Sequence, residues 1–427
     1  MENIALYGGE KTKTTPFGAG KRFGKEELTL LEEALEQNTL FYWFGKMTKR
    51  FCQKFADMYG AKYCAASSSG TASIHVALGA VGVGPGDEVI TSPITDMGSV
   101  IGILFQNAVP VFADLDPNSY NMTAESVAAK ITDKTKAIVV VHLAGNAAEI
   151  DKIVELAHSK GIYVIEDCAQ SYGCKYKGKY VGTFGDIGCF SLNDFKHISA
   201  GDGGMILTDN EEFYHNAVMF ADKNYNRFGS EVAKNVSTLG INYRMNELTA
   251  AVGIAQLDKV EDICAKRHVY GDALNAALQG IPGLYPHKVL PDCECSYWFY
   301  MLRINAEEFG ADRDEFAKAL NAEGIPAGAG YIPYCVYQYD MFKNRTAYPG
   351  GTNYPFGNTE YKEGDCPVAE EILKTSVKLF VNEFYTEQDL QDTIKALKKV
   401  CAYFQEQGMM EDIDSLLAEA KATYEHA

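Results

Sequence analysis

Three short stretches carry side chains that could do chemistry together. The first is Asn193-Asp194-Phe195-Lys196-His197-Ile198-Ser199, followed by Gly201-Asp202-Gly203-Gly204. Apolar runs at 187–190 and 204–208 flank it and read as short buried strands. An amine held between such strands is desolvated, which lowers its pKa, and a neutral amine can attack a carbonyl. The glycines leave room for a bulky ligand. The competing reading is a solvated lysine in a strand-to-strand loop. The second stretch is Ser67-Ser68-Ser69-Gly70-Thr71-Ala72, between a strand and a helix. Free N–H groups at a helix start attract an anion, and the hydroxyls of Ser69 and Thr71 add donors. It lacks the spacing of a Walker loop, and an ordinary serine N-cap explains it equally well. The third is Glu166-Asp167-Cys168-Ala169-Gln170 at the end of an apolar run. A carboxylate there would hold a protonated ring nitrogen, or simply cap a helix.

The elements that must position these stretches alternate. Strand-like runs fall at 63–66, 88–92, 109–113, 137–143, 162–166 and 187–190, and helical patterns at 71–82, 97–107, 124–130 and 147–160. Short β-branched runs separated by helices predict an α/β fold with a mostly parallel sheet covered on both faces. Ligands of such sheets sit beyond the carboxyl ends of the strands, so the three stretches should meet at one edge. An anion cradle, a carboxylate and a desolvated lysine are what pyridoxal phosphate needs: a phosphate site, a partner for the pyridinium nitrogen and a Schiff-base amine.

With 427 residues the chain is longer than one ordinary domain. The division expected is an extended arm at 1–25, a large domain at 26–265 and a smaller α+β domain at 266–427. Helices are expected at 25–37, with Leu28, Leu31 and Leu35 at helical spacing, and at 46–59. Between them runs Phe41-Tyr42-Trp43-Phe44, read as core, ligand wall or dimer contact. The net charge of −18 argues against nucleic acid as a partner. No apolar run reaches the ~18 residues a membrane helix needs, and the N-terminus has no secretion-signal pattern. The 11 cysteines then read as reduced thiols of a cytoplasmic protein. Cys293 and Cys295 are too weak a pair to imply a metal.

Several motifs recur in a known order: Ser69-Gly70-Thr71-Ala72, Gly84-Pro85-Gly86-Asp87-Glu88-Val89-Ile90, Glu166-Asp167-Cys168-Ala169-Gln170, Gly185-Asp186-Ile187-Gly188, Lys196 with its glycines, and Gly240-Ile241-Asn242-Tyr243-Arg244-Met245-Asn246. With these the chain resembles the DegT/DnrJ/EryC1/StrS family of pyridoxal-phosphate sugar aminotransferases, of fold type I, from about residue 7 to 405. The resemblance implies that Lys196 carries the cofactor and moves the proton during transfer. It implies that Asp167 holds the pyridinium N–H and that Gln170 contacts the phenolic oxygen. Ser69, Gly70, Thr71 and Ser191 would bind the phosphate. Asn242 would reach the phosphate of a neighbouring subunit, so the active sites of a homodimer would be shared. One branch of the family dehydrates sugars and has histidine at the lysine position; the retained Lys196, followed by His197, favours transamination.

Two departures stand out. Asp96 replaces the usual aromatic that stacks on the cofactor, leaving Ile94, Met97 or another group to cover that face, or Asp96 to touch substrate. Lys378-Leu379-Phe380-Val381-Asn382 replaces a Leu-Pro-x-His-like motif near the acceptor pocket. Towards the C-terminus, 295–304 and 377–381 read as strands, 313–322 as a helix, and Thr386-Glu387-Gln388-Asp389 as a helix start. Residues 407–427 read as an amphipathic helix. The function expected is transfer of an amino group from glutamate or glutamine to a nucleotide-linked keto sugar or a keto cyclitol. The rivals are a cofactor-dependent sugar dehydratase or lyase and a non-enzymatic regulator.

Overall fold

The computed structural model describes residues 3–229, 236–351 and 353–405. The expected helix at 407–427 lies outside them. Seven strands form the central sheet: β1 (Tyr63–Ser67), β2 (Glu88–Thr91), β3 (Val109–Phe112), β4 (Thr135–Val141), β5 (Tyr163–Asp167), β6 (Ile187–Ser191) and β7 (Gly204–Thr208). Their order is β1-β7-β6-β5-β4-β2-β3. The ladders from β3 through β6 are parallel, and β7 runs antiparallel to both β6 and β1. This is the fold type I arrangement expected. Along β4, Ala137 and Val139 enter one core while Ile138 and Val140 enter the other. Both faces are therefore buried, which is why the strands read as continuous apolar runs.

Register places the chemistry. Val141 pairs with Asp167 and Asp167 with Cys189, so the carboxyl ends of β4, β5 and β6 are level. Gly204 pairs with both Ser67 and Ser191, which brings the end of β1 beside the end of β6. The helix Gly70–Ala80 starts three residues beyond β1 and packs Ile74, Ala77 and Leu78 on the sheet.

A second, four-stranded antiparallel sheet has the order Leu284–Tyr285, Phe299–Ile304, Ser376–Phe380, Ala327–Ala329. One face, with Tyr300, Leu302, Val377 and Leu379, packs on helices Val260–Leu278, Arg313–Glu323 and Glu387–Gln405. The other face, with Phe299 and Met301, joins the core of the large sheet. Tyr337, Phe342 and Phe356 enter that same core from the long loop before helix Pro367–Thr375. The N-terminal arm is tied to the last helix through Lys13, whose ammonium lies 2.6 Å from Asp389 and 3.1 Å from Asp392.

Several local expectations shift. The strand expected at 162–166 is Tyr163–Asp167, one residue later, and the strand expected at 295–304 begins only at Phe299. Tyr297 takes a left-handed φ of 39°, which ends extended structure there, and Ser296 and Trp298 donate their N–H groups to Gly145 and Ala144 instead. The helix at 147–160 is confined to Ile150–His158. In helix Lys25–Glu36 the side chains buried are Glu27 and Ala34, while Leu28 is 67 % exposed. The expected cap forms at Thr386: its N–H donates to Asp389 and Asp389 N–H donates back to its hydroxyl.

Candidate active site

A cavity of about 210 Å³ opens beyond the carboxyl ends of β1, β5 and β6. It is lined by seven of the eight residues the motifs singled out: Ser69, Gly70, Thr71, Asp167, Gln170, Ser191 and Lys196. Lys196 is 9 % exposed. Burial lowers its pKa, and the nearby carboxylates of Asp167 and Asp96 only partly oppose that. Its Nζ lies 4.0 Å from the centroid of Trp298, whose indole N–H donates to the carbonyl of Phe195 at 2.7 Å. The lysine loop is thus braced by a ring just before the strand Phe299–Ile304 of the second sheet.

Asp167 ends β5. Side chains alternate along a strand, so Asp167 shares a face with Ile165, which packs towards helix Gly70–Ala80. Its Oδ2 accepts from Ser99 Oγ at 2.6 Å and its Oδ1 from Ala169 N–H at 3.0 Å. Ser99 is positioned in turn by Thr95, 2.6 Å away and one helical turn earlier. Burial raises the Asp167 carboxyl above its usual range, and these two donors restrain the rise. A buried carboxylate with neutral donors is set up to receive a cation from the cavity.

Glu166 faces the other way. It accepts N–H bonds from Gly182, Phe184 and Gly185, each at 2.7 Å, and one from His142 Nε2 at 2.9 Å. His142 Nδ1 accepts from Ala148 N–H, which leaves the proton on Nε2. Burial pushes Glu166 up, but His142 and the loop N–H groups outweigh it and hold the carboxyl down. Its ligand oxygen lies close to His142 and Cys168, yet those protein bonds already occupy it. It is a structural clamp on the 182–185 loop.

The helix Gly70–Ala80 has no acid in its first turn, and its start points into the cavity. Ser69 Oγ accepts from Ala72 N–H at 3.0 Å and Ser191 Oγ from Asn193 N–H at 3.3 Å. Both hydroxyl protons remain for an anion. A Cβ on Gly70 would lie 2.5 Å from Ser191 Cβ, so only glycine lets the helix start approach β6 this closely. A Cβ on Gly98 would lie 2.7 Å from Thr71 Oγ1. These residues fit pyridoxal phosphate: donors for the phosphate, a carboxylate for the ring nitrogen and an amine for the aldehyde.

Gln170 Oε1 accepts from Ala144 N–H at 3.0 Å, and its Nε2 donates to Tyr331 Oη at 3.3 Å. Asp96 lines the cavity and accepts from Gly98 N–H at 2.8 Å, while Ile94 is wholly buried away from it. His197 is buried against Tyr172, and its Nε2 lies 3.0 Å from the Ser296 carbonyl. Burial depresses it far below the usual imidazole range. Lysine, not histidine, therefore occupies the cavity. Asn242 does not line it; it is exposed and pairs its backbone with Asp222. The 41–44 aromatics are not core: they are partly or fully exposed. Tyr42 and Trp43 line a separate cavity of about 380 Å³ with Phe228 and Arg244, and it shares no residue with the first. Sequence reading missed Ser99, Trp298 and Glu166's role. Only Ser99 left a local signal, its one-turn spacing from Thr95.

The fold and the site define a fold type I pyridoxal-phosphate enzyme. Residues 21–398 match the model of the DegT/DnrJ/EryC1/StrS aminotransferase family, and the chain belongs to that family. It is a pyridoxal-phosphate-dependent aminotransferase. It is 32% identical over 385 residues, 88% of this chain and 95% of the relative, to the spore coat polysaccharide biosynthesis protein SpsC of Bacillus subtilis. It is 37% identical over 280 residues, 65% of this chain and 75% of the relative, to the GDP-perosamine synthase of Escherichia coli O157:H7. A putative L-glutamine:3-amino-2,3-dideoxy-scyllo-inosose aminotransferase of Micromonospora echinospora is 30% identical over 417 residues, 93% of this chain and 97% of the relative. Among solved structures, an aminotransferase from Psychrobacter cryohalolentis superposes with a TM-score of 0.82 at 31% identity, covering 91% of this chain and 100% of the other. No helix among the described residues is long and apolar enough to cross a membrane.

Proposed function

We propose that this chain moves the amino group of glutamine or glutamate to a keto sugar, nucleotide-linked, or to a keto cyclitol. The observation that carries the reading is the desolvated amine of Lys196 in one cavity with Asp167 and the bare start of helix Gly70–Ala80. The relatives named above, with GDP-linked and cyclitol products and an L-glutamine donor, support the substrate class.

Pyridoxal phosphate supplies an aldehyde that amines can exchange onto and a protonated ring that draws electrons from the donor Cα. Lys196 would hold that aldehyde, its burial favouring the uncharged nucleophilic form, and would move the proton between the donor Cα and the cofactor C4′. Asp167, oriented by Ser99, keeps the ring nitrogen protonated. Ser69, Gly70, Thr71 and Ser191 would bind the phosphate, and Gln170 would contact the phenolic oxygen. Asn242 serves a second copy's phosphate in a homodimer. That role is supported by its exposure away from its own cavity and by the exposed apolar residues near it, Leu239 at 88 % and Ile241 at 37 %. Phe195, beside Lys196, is 77 % exposed, as a residue covered by a partner would be in one isolated chain.

The test is a half-reaction. Mixing the cofactor-loaded protein with glutamine or glutamate should convert the cofactor's aldehyde absorbance to that of its amine. No conversion with any amino donor, in protein that holds the cofactor, would refute the reading.

A further inference from the structure

The Lys196 cavity is short of positive charge. Asp96, Asp167 and Asp202 line it, against the single ammonium of Lys196. When Lys196 is bonded to a carbonyl it is no longer a free ammonium able to pair with a substrate anion. Yet an amino donor brings carboxylates, and a nucleotide-linked acceptor brings phosphates.

Lys378 does not itself line that cavity, but it approaches the lining residue Gln170 through Tyr331. It lies on strand Ser376–Phe380, where Val377 and Leu379 enter the core of the second domain. By the alternation of a strand, Lys378 leaves the opposite face. Its cross-strand partner there is Met301, which packs into the large-sheet core, so Lys378 stands between the two domains. Its Nζ is 5.7 Å from the ring centroid of Phe299, 6.0 Å from that of Tyr331 and 5.0 Å from that of Phe380. Tyr331 Oη is the atom that accepts from Gln170 in the cavity. The Tyr331 ring therefore touches the surroundings of both the ammonium and Gln170.

Lys378 is half-buried, and burial lowers its pKa with no carboxylate opposing the shift. No ion pair of Lys378 occurs among the described residues. A partly desolvated ammonium with ring faces but no counter-ion is costly, and an incoming oxyanion would relieve it.

We propose that Lys378 anchors an oxyanion of a substrate, either the carboxylate of the amino donor or the phosphate of a nucleotide-linked acceptor. The proposal rests on the aminotransferase reading above. The residue is a binding and positioning group, not a proton carrier.

The experiment titrates cofactor-loaded wild-type protein, Lys378→Met and Lys378→Arg by calorimetry with glutarate and, separately, with GDP and UDP. In Lys378→Met, glutarate or the nucleotides should bind about tenfold more weakly or worse. Lys378→Arg should recover most of the loss. The cofactor absorbance and the melting temperature should stay as in wild type, which separates anchoring from a packing role. If glutarate is affected, the donor KM should rise in the half-reaction with little change in its maximal rate. If the nucleotides are affected, the phosphate is the anion held. Binding of both probes within twofold of wild type in Lys378→Met, or no binding of either by wild type, would overturn the proposal. Failure of the aminotransferase reading would instead appear as absence of conversion by every donor, with the anion titrations still readable.

Discussion

Replacing Ser99 by alanine removes the hydroxyl that donates to Asp167 at 2.6 Å without touching a residue that meets the cofactor's phosphate or aldehyde. The bond matters because Asp167 must be ionised to hold a protonated ring nitrogen, and burial pushes its carboxyl the other way. A hydrogen bond to a charged group contributes about 1.5–3 kcal/mol. At ~1.4 kcal/mol per tenfold, that corresponds to roughly 10- to 100-fold in affinity. Asp167 keeps its bond from Ala169 N–H, and the cofactor-free protein already carries part of the loss. We therefore expect the dissociation constant for pyridoxal phosphate to rise about tenfold, the low end of that range. Titration of apo-protein by fluorescence quenching reads it directly. Thr95→Val, which removes only the group that orients Ser99, should show a smaller change in the same direction. A Ser99→Ala protein that binds the cofactor within twofold of wild type would refute the contribution assigned to the Ser99 bond.

Borohydride reduction should fix the cofactor on the Lys196 peptide, and Lys196→Ala should take no label and transfer amino groups ~10³-fold more slowly or worse. Label on another lysine would reassign the amine. Gly70→Ala puts a methyl 2.5 Å from Ser191 Cβ and 2.9 Å from its Oγ. It should lower stability by about 1–3 kcal/mol and weaken phosphate binding, checked by melting temperature and by cofactor titration. Asp389 supplies a pH test. Burial pushes its carboxyl up, but Lys13 and the N–H groups of Thr386 and Gly18 outweigh it and bring it from 3.8 to about 2. A depressed acid stabilises the fold fully above its unfolded pKa, and that stability disappears as pH falls through the folded value. That depression corresponds to roughly 2 kcal/mol, lost between about pH 5 and pH 2. Lys13→Met should be less stable at neutral pH and show a shallower acid slope in melting temperature; parallel slopes would rule out the pair as the cause.

Much of the site could be read in one dimension. Gly70, Ser191 and Asp167 each stand at a strand end or helix start, and Lys196 sits in the loop between β6 and β7; those boundaries are written locally by β-branched runs, glycines and capping serines. The alternation of such runs with helices was enough for a parallel sheet with its ligand edge at the carboxyl ends. Beyond that, the tertiary structure decided. A one-residue shift in where β5 begins reverses which of Glu166 and Asp167 meets the cavity, because side chains alternate faces with a period of two. The sequence window allowed either; the pairing of Asp167 with Val141 and Cys189 chose. Trp298, Tyr331 and Lys378 come to Lys196 and Gln170 from more than a hundred residues away in the chain, through the docking of a second sheet on the first. Contacts of that kind depend on how two buried faces fit, and no local spacing records them.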